Sequence, residues 1–526
     1  MIKNKICTGN TFLGIELGST RIKASLIDDT YTPIASGSFE WENSFEDGYW
    51  TYSLESIHKG IQACFQNLSE KIYKEFDVRL EKVGAIGVSA MMHGYLAFDK
   101  DDNLLVPFRT WRNTTTEEAA DKLTEAFRFN IPQRWSIAHL YQSILNNEPH
   151  VSRIAHITTL AGYVHYLLTG KHEVGIGDAS GMFPIRDNDY DSTMLNKFNS
   201  IIRDKNFSWD IKEILPKVKM AGERGAYLTE NGARFLDLSG ILKPGIAVCP
   251  PEGDAGTGMV ATNAVLPRTG NVSAGTSIFA MVVLEKLLKD FHREIDIVTT
   301  PDGSPVAMVH CNNCCGELDT WVKMFGEFAK LVGVSLDKSF LYETLYKITV
   351  AAEADCGGIT VVNYLSGEHI TGIEKGRPMY FRSAESNMNI ANFMRAQIYS
   401  SMATLALGMD ILLEKENVCI DQIQAHGGLF KEKGIAQQIL ADALQTCVSV
   451  TETAGEGGAW GIALLAAFMV NGDDISLGEW LNEKVFAKMK NTVVKPNENG
   501  VDGFKKYLGR YKLALDAEKK LEDVSC

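Results

Sequence analysis

A chain of 526 residues is too long for one hydrophobic core, so two large domains are expected. With 45% hydrophobic and 22% charged residues it has a globular composition, which excludes collagen-like and disordered classes. The net charge of −14 argues against nucleic acid or anionic lipid as a partner held by the overall field, but not against a nucleotide met by local loops.

The ten cysteines form no disulfide framework. The densest group, Cys311, Cys314 and Cys315, has only His310 beside it, so reduced buried thiols are expected rather than zinc. The opening MIKNKICTGN has no signal-peptide run, and no stretch reaches the roughly 18 apolar residues of a membrane helix. The expected location is the cytoplasm, with no membrane partner.

In chain order, Thr11–Leu17 reads as a strand, Gly18-Ser19-Thr20-Arg21 as a tight turn, and Ile22–Asp28 as the returning strand. No helix follows the glycine turn, so this is not a dinucleotide-binding start, and no Walker A sequence occurs anywhere. Val83–Ser89 is a buried strand leading into Met91-Met92-His93-Gly94; Tyr95–Phe98 continues, and Leu104–Trp111 returns after a turn. Thr114-Thr115-Thr116 before Glu117-Glu118 starts a helix, and helical patterning runs to Thr169 with Gly170 as its end.

The stretch from Pro250 to Ser277 organises the chain. It sets one carboxylate, Asp254, among small residues, then offers Gly275-Thr276-Ser277 as backbone and hydroxyl donors. An acid beside an anion-binding loop suits phosphoryl transfer to an alcohol. Taken alone, an Asp beside glycine reads first as a turn cap. Asn271–Val283 repeats the strand–turn–strand pattern, aligning Gly275-Thr276-Ser277 with Gly18-Ser19-Thr20 and suggesting a duplicated domain. Further on, Ala391–Glu416 is a long helix, Ile420–Ala425 a strand before Gly427-Gly428, and Ile435–Leu444 an amphipathic helix. Gly455-Glu456-Gly457-Gly458 opens a small-residue helix, and the tail from Asp502 is a charged surface helix.

Together these residues resemble the FGGY carbohydrate kinases. Gly14-Ile15-Glu16-Leu17-Gly18-Ser19-Thr20, Met92-His93-Gly94, Gly253-Asp254-Ala255, Ala274-Gly275-Thr276-Ser277 and Gly427-Gly428-Leu429-Phe430 stand in the family's order, from about residue 11 to about 470. Within the family the chain looks most similar to xylulokinases, through Gly87-Val88-Ser89, Asp178-Ala179-Ser180-Gly181 and Asn312-Asn313 ahead of Trp321. The resemblance implies an α/β protein of two actin-like (ribonuclease H-like) domains flanking a deep catalytic cleft. It sets a sugar-side domain at 1–262, an ATP-side domain at 263–480 and a helical extension at 481–526.

It further implies that Asp254 is the catalytic base, held in a loop. Gly18, Ser19, Thr20 and Lys23 would form the first phosphate site, and Gly275 and Thr276 the second. Gly427 and Gly428 would lie under the nucleotide, while Met92, His93, Trp111 and Asp254 would face the sugar. ATP and Mg²⁺ are the implied cofactors, with Glu16 holding the metal through water. Three residues depart from the family pattern: Glu16 replaces Asp, Met91 replaces Gln, and Asn113 replaces Asp in Trp111-Arg112-Asn113. The implied activity is transfer of the γ-phosphoryl group of Mg·ATP to a ketose, with D-xylulose first and L-ribulose, another pentulose or a polyol as alternatives. An actin-like ATPase and a weakened sugar-binding regulator are the rivals from other classes, and a homodimer is possible.

Overall fold

The computed structural model describes residues 2–432, 434–451, 457–472, 474–489 and 491–521. The chain divides into two compact units: Met1–Leu266 with Asp296–Val306 and Glu456–Lys488, and Pro267–Ile295 with Ala307–Gly455 and Met489–Cys526.

The first unit is built on β1 (Thr11–Leu17), β2 (Arg21–Asp28), β3 (Pro33–Glu40), β4 (Ala85–Ala90), β5 (Ala226–Tyr227), β6 (Ala247–Val248) and β7 (Glu252–Gly253). The sheet runs β5-β6-β4-β1-β2-β3, with β7 also on β4. The expected opening hairpin is present: β1 pairs antiparallel with β2 from Thr11↔Asp28 to Leu17↔Ile22. β4 then adds parallel to β1, with Leu17 opposite Ala90. Its strands read as near-continuous apolar runs because both faces are covered.

One face is covered by the helix Leu54–Phe76, whose Ile57, Ile61, Cys64 and Leu68 are buried at helical spacing. Ser53 caps its start by accepting from the Ser56 amide at 3.1 Å. The other face carries the helix Gly457–Asn471, in which all twelve residues from Gly458 to Met469 are buried. It lies so close to the sheet that a Cβ on Gly14 would come within 2.0 Å of the Ala459 carbonyl oxygen. An apolar helix without a polar face must be buried on every side, which ties this late segment to the first unit.

The second unit repeats the plan. Its strands are β8 (Thr269–Ala274), β9 (Ile278–Val283), β10 (Pro305–Cys311), β11 (Gln422–Gly427), β12 (Cys447–Thr451) and β13 (Asn491–Val494), in the order β10-β9-β8-β11-β12-β13. The β8–β9 hairpin pairs Gly270↔Val282 to Ala274↔Ile278, and β11 runs parallel to β8, as β4 does to β1. The short sequence repeat therefore marks a repeated topology. The helix Ile390–Asp410, continued by Ile411–Lys415, fills the core; it is long and apolar enough to span a membrane, but 83% of its apolar window is buried in the protein.

Several sequence expectations change. The helical patterning from 114 to 169 resolves into Glu117–Phe127, Ser136–Leu145 and Leu160–Thr169, with the strand His156–Thr158 between the last two. The expected strand Leu104–Trp111 is reduced to bridges Phe98↔Leu104 and Tyr95↔Arg109. Boundaries drawn at 262 and 480 miss that 456–488 joins the first unit and 489–526 the second. The tail helix, Glu498–Lys520, is a core element: Tyr507 and Tyr511 are fully buried, and the Tyr507 hydroxyl donates to the Val361 carbonyl at 3.0 Å. Gly455 and Glu456 lie outside the described residues, and the helix they were expected to open begins at Gly457. The nine cysteines among the described residues are all free.

Candidate active site

In the first unit the named residues gather at the C-terminal ends of the parallel strands β1, β4 and β7, the end at which open α/β sheets bind ligands. Leu17, Ala90 and Gly253 are neighbours in register there. Asp254 is not in a loop. It is the first residue of the helix Asp254–Ala261, after Gly253 at the N-cap position. Its Oδ1 accepts from the Met92 amide at 3.0 Å, joining the acid directly to the Met92-His93-Gly94 tip. Thr257, one turn on, meets the buried Ser89 hydroxyl at 3.0 Å and fixes that helix to β4.

Asp254 is half-buried, and its carboxyl is pushed up to about 6, by burial first and then by the negative charge of Glu16. Two further acids stand behind it. Glu252 is fully buried and accepts the Gly177 and Asp178 amides at 3.2 and 2.9 Å, and burial holds its carboxyl well above the usual range. Asp178 accepts from the Thr159 hydroxyl at 2.5 Å and is pushed up to about 7, mainly by burial. In the sequence Asp178 stood out only as part of the Asp178-Ala179-Ser180-Gly181 resemblance, and Glu252 was missed, its one signal being its place two residues before Asp254.

Glu16 shows how the chain accommodates a longer acid than the resemblance expects. Its Oε2 accepts from the Ala459 amide at 3.2 Å, at the start of the helix Gly457–Asn471, where an unpaired amide and the helix dipole favour a carboxylate. Gly458 makes the room: a Cβ there would lie 2.5 Å from Glu16 Oε1. Lys23 faces Glu16 across the β1–β2 pair.

The turn Gly18-Ser19-Thr20 is held from behind by two side chains not singled out in the sequence. The Trp41 indole donates to the Gly18 carbonyl at 2.8 Å, and the Tyr52 hydroxyl donates to the Ser19 carbonyl at 2.5 Å. The two rings are buried and stack at 4.2 Å. With its carbonyls engaged, the turn is fixed while Ser19 and Thr20 stay open to solvent.

His93 is buried and takes a left-handed backbone conformation (φ 70). Its Nδ1 meets the Gly181 carbonyl at 3.3 Å, and its ring stacks on Trp135. Met92 is buried beside it. Trp111 is different: its ring is 38% exposed, and among the described contacts none joins it to Met92, His93 or Asp254. Asn113 is used by the backbone, accepting from the Trp50 amide at 2.8 Å and donating to the Trp50 and Thr110 carbonyls. An Asp could not make the last two bonds.

In the second unit, Gly275-Thr276 and Gly427-Gly428 lie together at the ends of the parallel strands β8 and β11, where Ala274 is opposite Gly427. Gly427 has φ 104, and a Cβ on it would lie 2.2 Å from the Ala274 carbonyl oxygen, so both conformation and space require glycine. Gly275, Thr276, Gly427 and Gly428 are all exposed. The carbonyls of Gly275 and Thr276 accept from the amides of Cys315 and Cys314 at 3.1 and 3.0 Å. The cysteine cluster thus supports this loop, with its sulfur atoms 3.5 Å apart at Cys314 and Cys315.

Comparison with known families settles the class. The N-terminal domain of the FGGY family of carbohydrate kinases matches residues 11–259, and the C-terminal domain of that family matches residues 270–470. The chain belongs to the FGGY family of carbohydrate kinases. A xylulose kinase of Haemophilus influenzae is 22% identical over 521 residues, covering 95% of this kinase and 98% of that protein. Among solved structures, a ligand-bound xylulose kinase from Lactobacillus acidophilus aligns with a TM-score of 0.79 at 16% identity, covering 98% of this kinase and 99% of that chain. A gluconate kinase from the same organism aligns at 0.78, also at 16% identity, covering 98% of each chain. The ADP-bound glycerol kinase of Plasmodium falciparum aligns at 0.76 and 16% identity, covering 97% and 98%. The two-domain α/β fold of the family is therefore the fold of this enzyme, and relatives with several acceptors share it.

Proposed function

We propose that this kinase transfers the γ-phosphoryl group of Mg·ATP to a hydroxyl of a ketose, with D-xylulose first among candidates and L-ribulose, another pentulose or a polyol next. The observation that carries the reading is Asp254 itself: a half-buried carboxylate at a helix start, bonded to the Met92 amide and raised to about 6. A base is most effective when its pKa lies just below the working pH, being both ionised and proton-accepting. Asp254 takes the proton of the attacking hydroxyl. The sugar oxygen forms the new bond to phosphorus, and the bond to the bridging oxygen breaks, leaving ADP with the electron pair.

His93 and Met92 serve as the sugar-facing tip, with Trp111 as an outer stacking surface. Gly18, Ser19, Thr20 and Lys23 in the first unit, and Gly275 and Thr276 in the second, are the phosphate donors; Gly427 and Gly428 lie under the nucleotide. The donor set near Asp254 suits Mg²⁺, because two carboxylates, Glu16 and Asp254, stand close enough for the charge of Glu16 to raise Asp254, and both supply hard oxygen. Glu16 is the residue that would hold the ion through water; once bound, the ion neutralises phosphate charge. The xylulose assignment rests on the named relatives. The cytoplasm and a small-molecule partner fit it.

The test is product identification. Purified enzyme with Mg·ATP is offered ketoses, aldoses and polyols, and the phosphorylated product is read by mass spectrometry and phosphorus NMR. A sugar phosphate from a pentulose supports the reading; product from an aldonate or glycerol alone would redirect the acceptor while keeping the class.

A further inference from the structure

A second cluster of chemistry-bearing groups lies in the first unit and plays no part in the reaction above. Asp102, His156 and His172 come from three separate places in the sequence, and their donor atoms all fall within 4.8 Å of one another. Asp102 sits in the turn after Leu96–Phe98 with a left-handed backbone (φ 59). His156 opens the strand His156–Thr158, paired antiparallel to Leu96–Phe98 with Phe98 opposite it. His172 follows Gly170, the left-handed end of the helix Leu160–Thr169.

The side chains are fixed in a way suited to binding an ion. His156 Nε2 stands 3.6 Å from Asp102 Oδ1, against a ligand–ligand separation of about 3.4 Å in a tetrahedral zinc site with bonds near 2.1 Å. The His156 ring stacks on buried Phe98 at 5.1 Å and meets the His172 ring at 4.0 Å. His172 in turn stacks on Tyr166 at 4.2 Å. The Tyr166 hydroxyl donates to the other oxygen of Asp102 at 2.5 Å, the outer hydrogen bond that orients a ligating carboxylate. Two cations beside the histidines in sequence are engaged elsewhere: Arg153 binds Asp99, and Lys171 binds the Gly225 carbonyl.

From this geometry we infer a zinc site formed by His156, His172 and Asp102, with a fourth position open to water, which clasps the Asp102 turn, the strand His156–Thr158 and the end of the helix Leu160–Thr169. Two nitrogen donors and one carboxylate select a first-row transition ion over Mg²⁺, which prefers an all-oxygen shell. The site is thus distinct in chemistry from the metal requirement of phosphoryl transfer. Among the described residues, no other group of His, Cys, Asp and Glu has ligand spacing.

The test uses the full-length kinase stripped with a chelator and titrated with zinc chloride by calorimetry in millimolar Mg²⁺. One equivalent should bind, and bound zinc should raise the thermal midpoint. Both His172→Asn and Asp102→Asn are exposed changes, and Asn tolerates the left-handed conformation at 102. Each variant should melt like the wild type without metal but lose at least tenfold in zinc affinity and lose the zinc-dependent rise. Equal zinc affinity in the wild type and both variants, or no binding at all, would overturn the assignment; in the former case the ion is held elsewhere.

Discussion

Replacing Asp254 with Asn should do more than stop the reaction. In the folded protein its carboxyl titrates at about 6 rather than 3.8, mainly because burial disfavours the ionised form. Ionising it therefore costs the folded state about 3 kcal/mol, since each pH unit of displacement corresponds to about 1.4 kcal/mol. Asp254 reaches solvent on part of its surface, so this is a ceiling, and about 1–3 kcal/mol is expected. The sign follows from the raised value. Below 3.8 the group is protonated whether folded or not, and nothing is lost. Between 3.8 and about 6 the unfolded chain releases the proton first, so stability falls as pH rises, and above about 6 the loss is complete. Asn keeps an oxygen for the Met92 amide but has no charge to bury. The assay is urea unfolding of both proteins from about pH 4 to about pH 8, with slopes compared so that midpoints report stability. The variant should gain on the wild type by about 1–3 kcal/mol across that range while losing sugar phosphorylation. A difference that does not change with pH would refute the buried, raised carboxyl and with it the physical case for Asp254 as base.

Three other changes follow from the same contacts. Tyr52→Phe removes the hydroxyl that holds the Ser19 carbonyl and should raise KM for ATP about 3- to 10-fold with kcat little changed, as one lost hydrogen bond of about 1 kcal/mol implies; steady-state kinetics at varied ATP reads it. Glu16→Gln removes the charge that helps raise Asp254, so the acid limb of the kcat/KM profile, expected at about 6 in the wild type, should move to lower pH whatever happens to its height. Gly427→Ala forces a Cβ to within 2.2 Å of the Ala274 carbonyl at φ 104, and calorimetry should show destabilisation by about 2–4 kcal/mol.

Much of this was legible in the sequence because local signals carried it. The two glycine-hydroxyl hairpins sit on strands whose apolar runs fixed their pairing, and their recurrence revealed the repeated topology before any contact was known. Asp254 was found by its small-residue neighbours, but those same residues suggested a loop, whereas Gly253 serves as an N-cap and turns the chain into a helix. Tertiary packing decided the rest. Nothing local in Gly457–Asn471 says that it will lie on β1, because the evidence is the missing Cβ at Gly14, some four hundred residues earlier. The charged tail looked like a surface helix because ten of the 23 residues of Glu498–Lys520 are charged, yet Tyr507 and Tyr511 bury its inner face. Trp41 and Tyr52 act on the Gly18-Ser19-Thr20 turn only through carbonyl groups, which no side-chain motif records.

The central claim is that one carboxylate, Asp254, makes this fold a sugar kinase. The most direct measurement is coupled ADP release by wild type and Asp254→Asn, with and without each sugar, while nucleotide binding is followed separately. The account predicts release stimulated by a ketose in the wild type and abolished in the variant, which still binds nucleotide. Near-full turnover by the variant, or release in the wild type that no sugar changes, would contradict it.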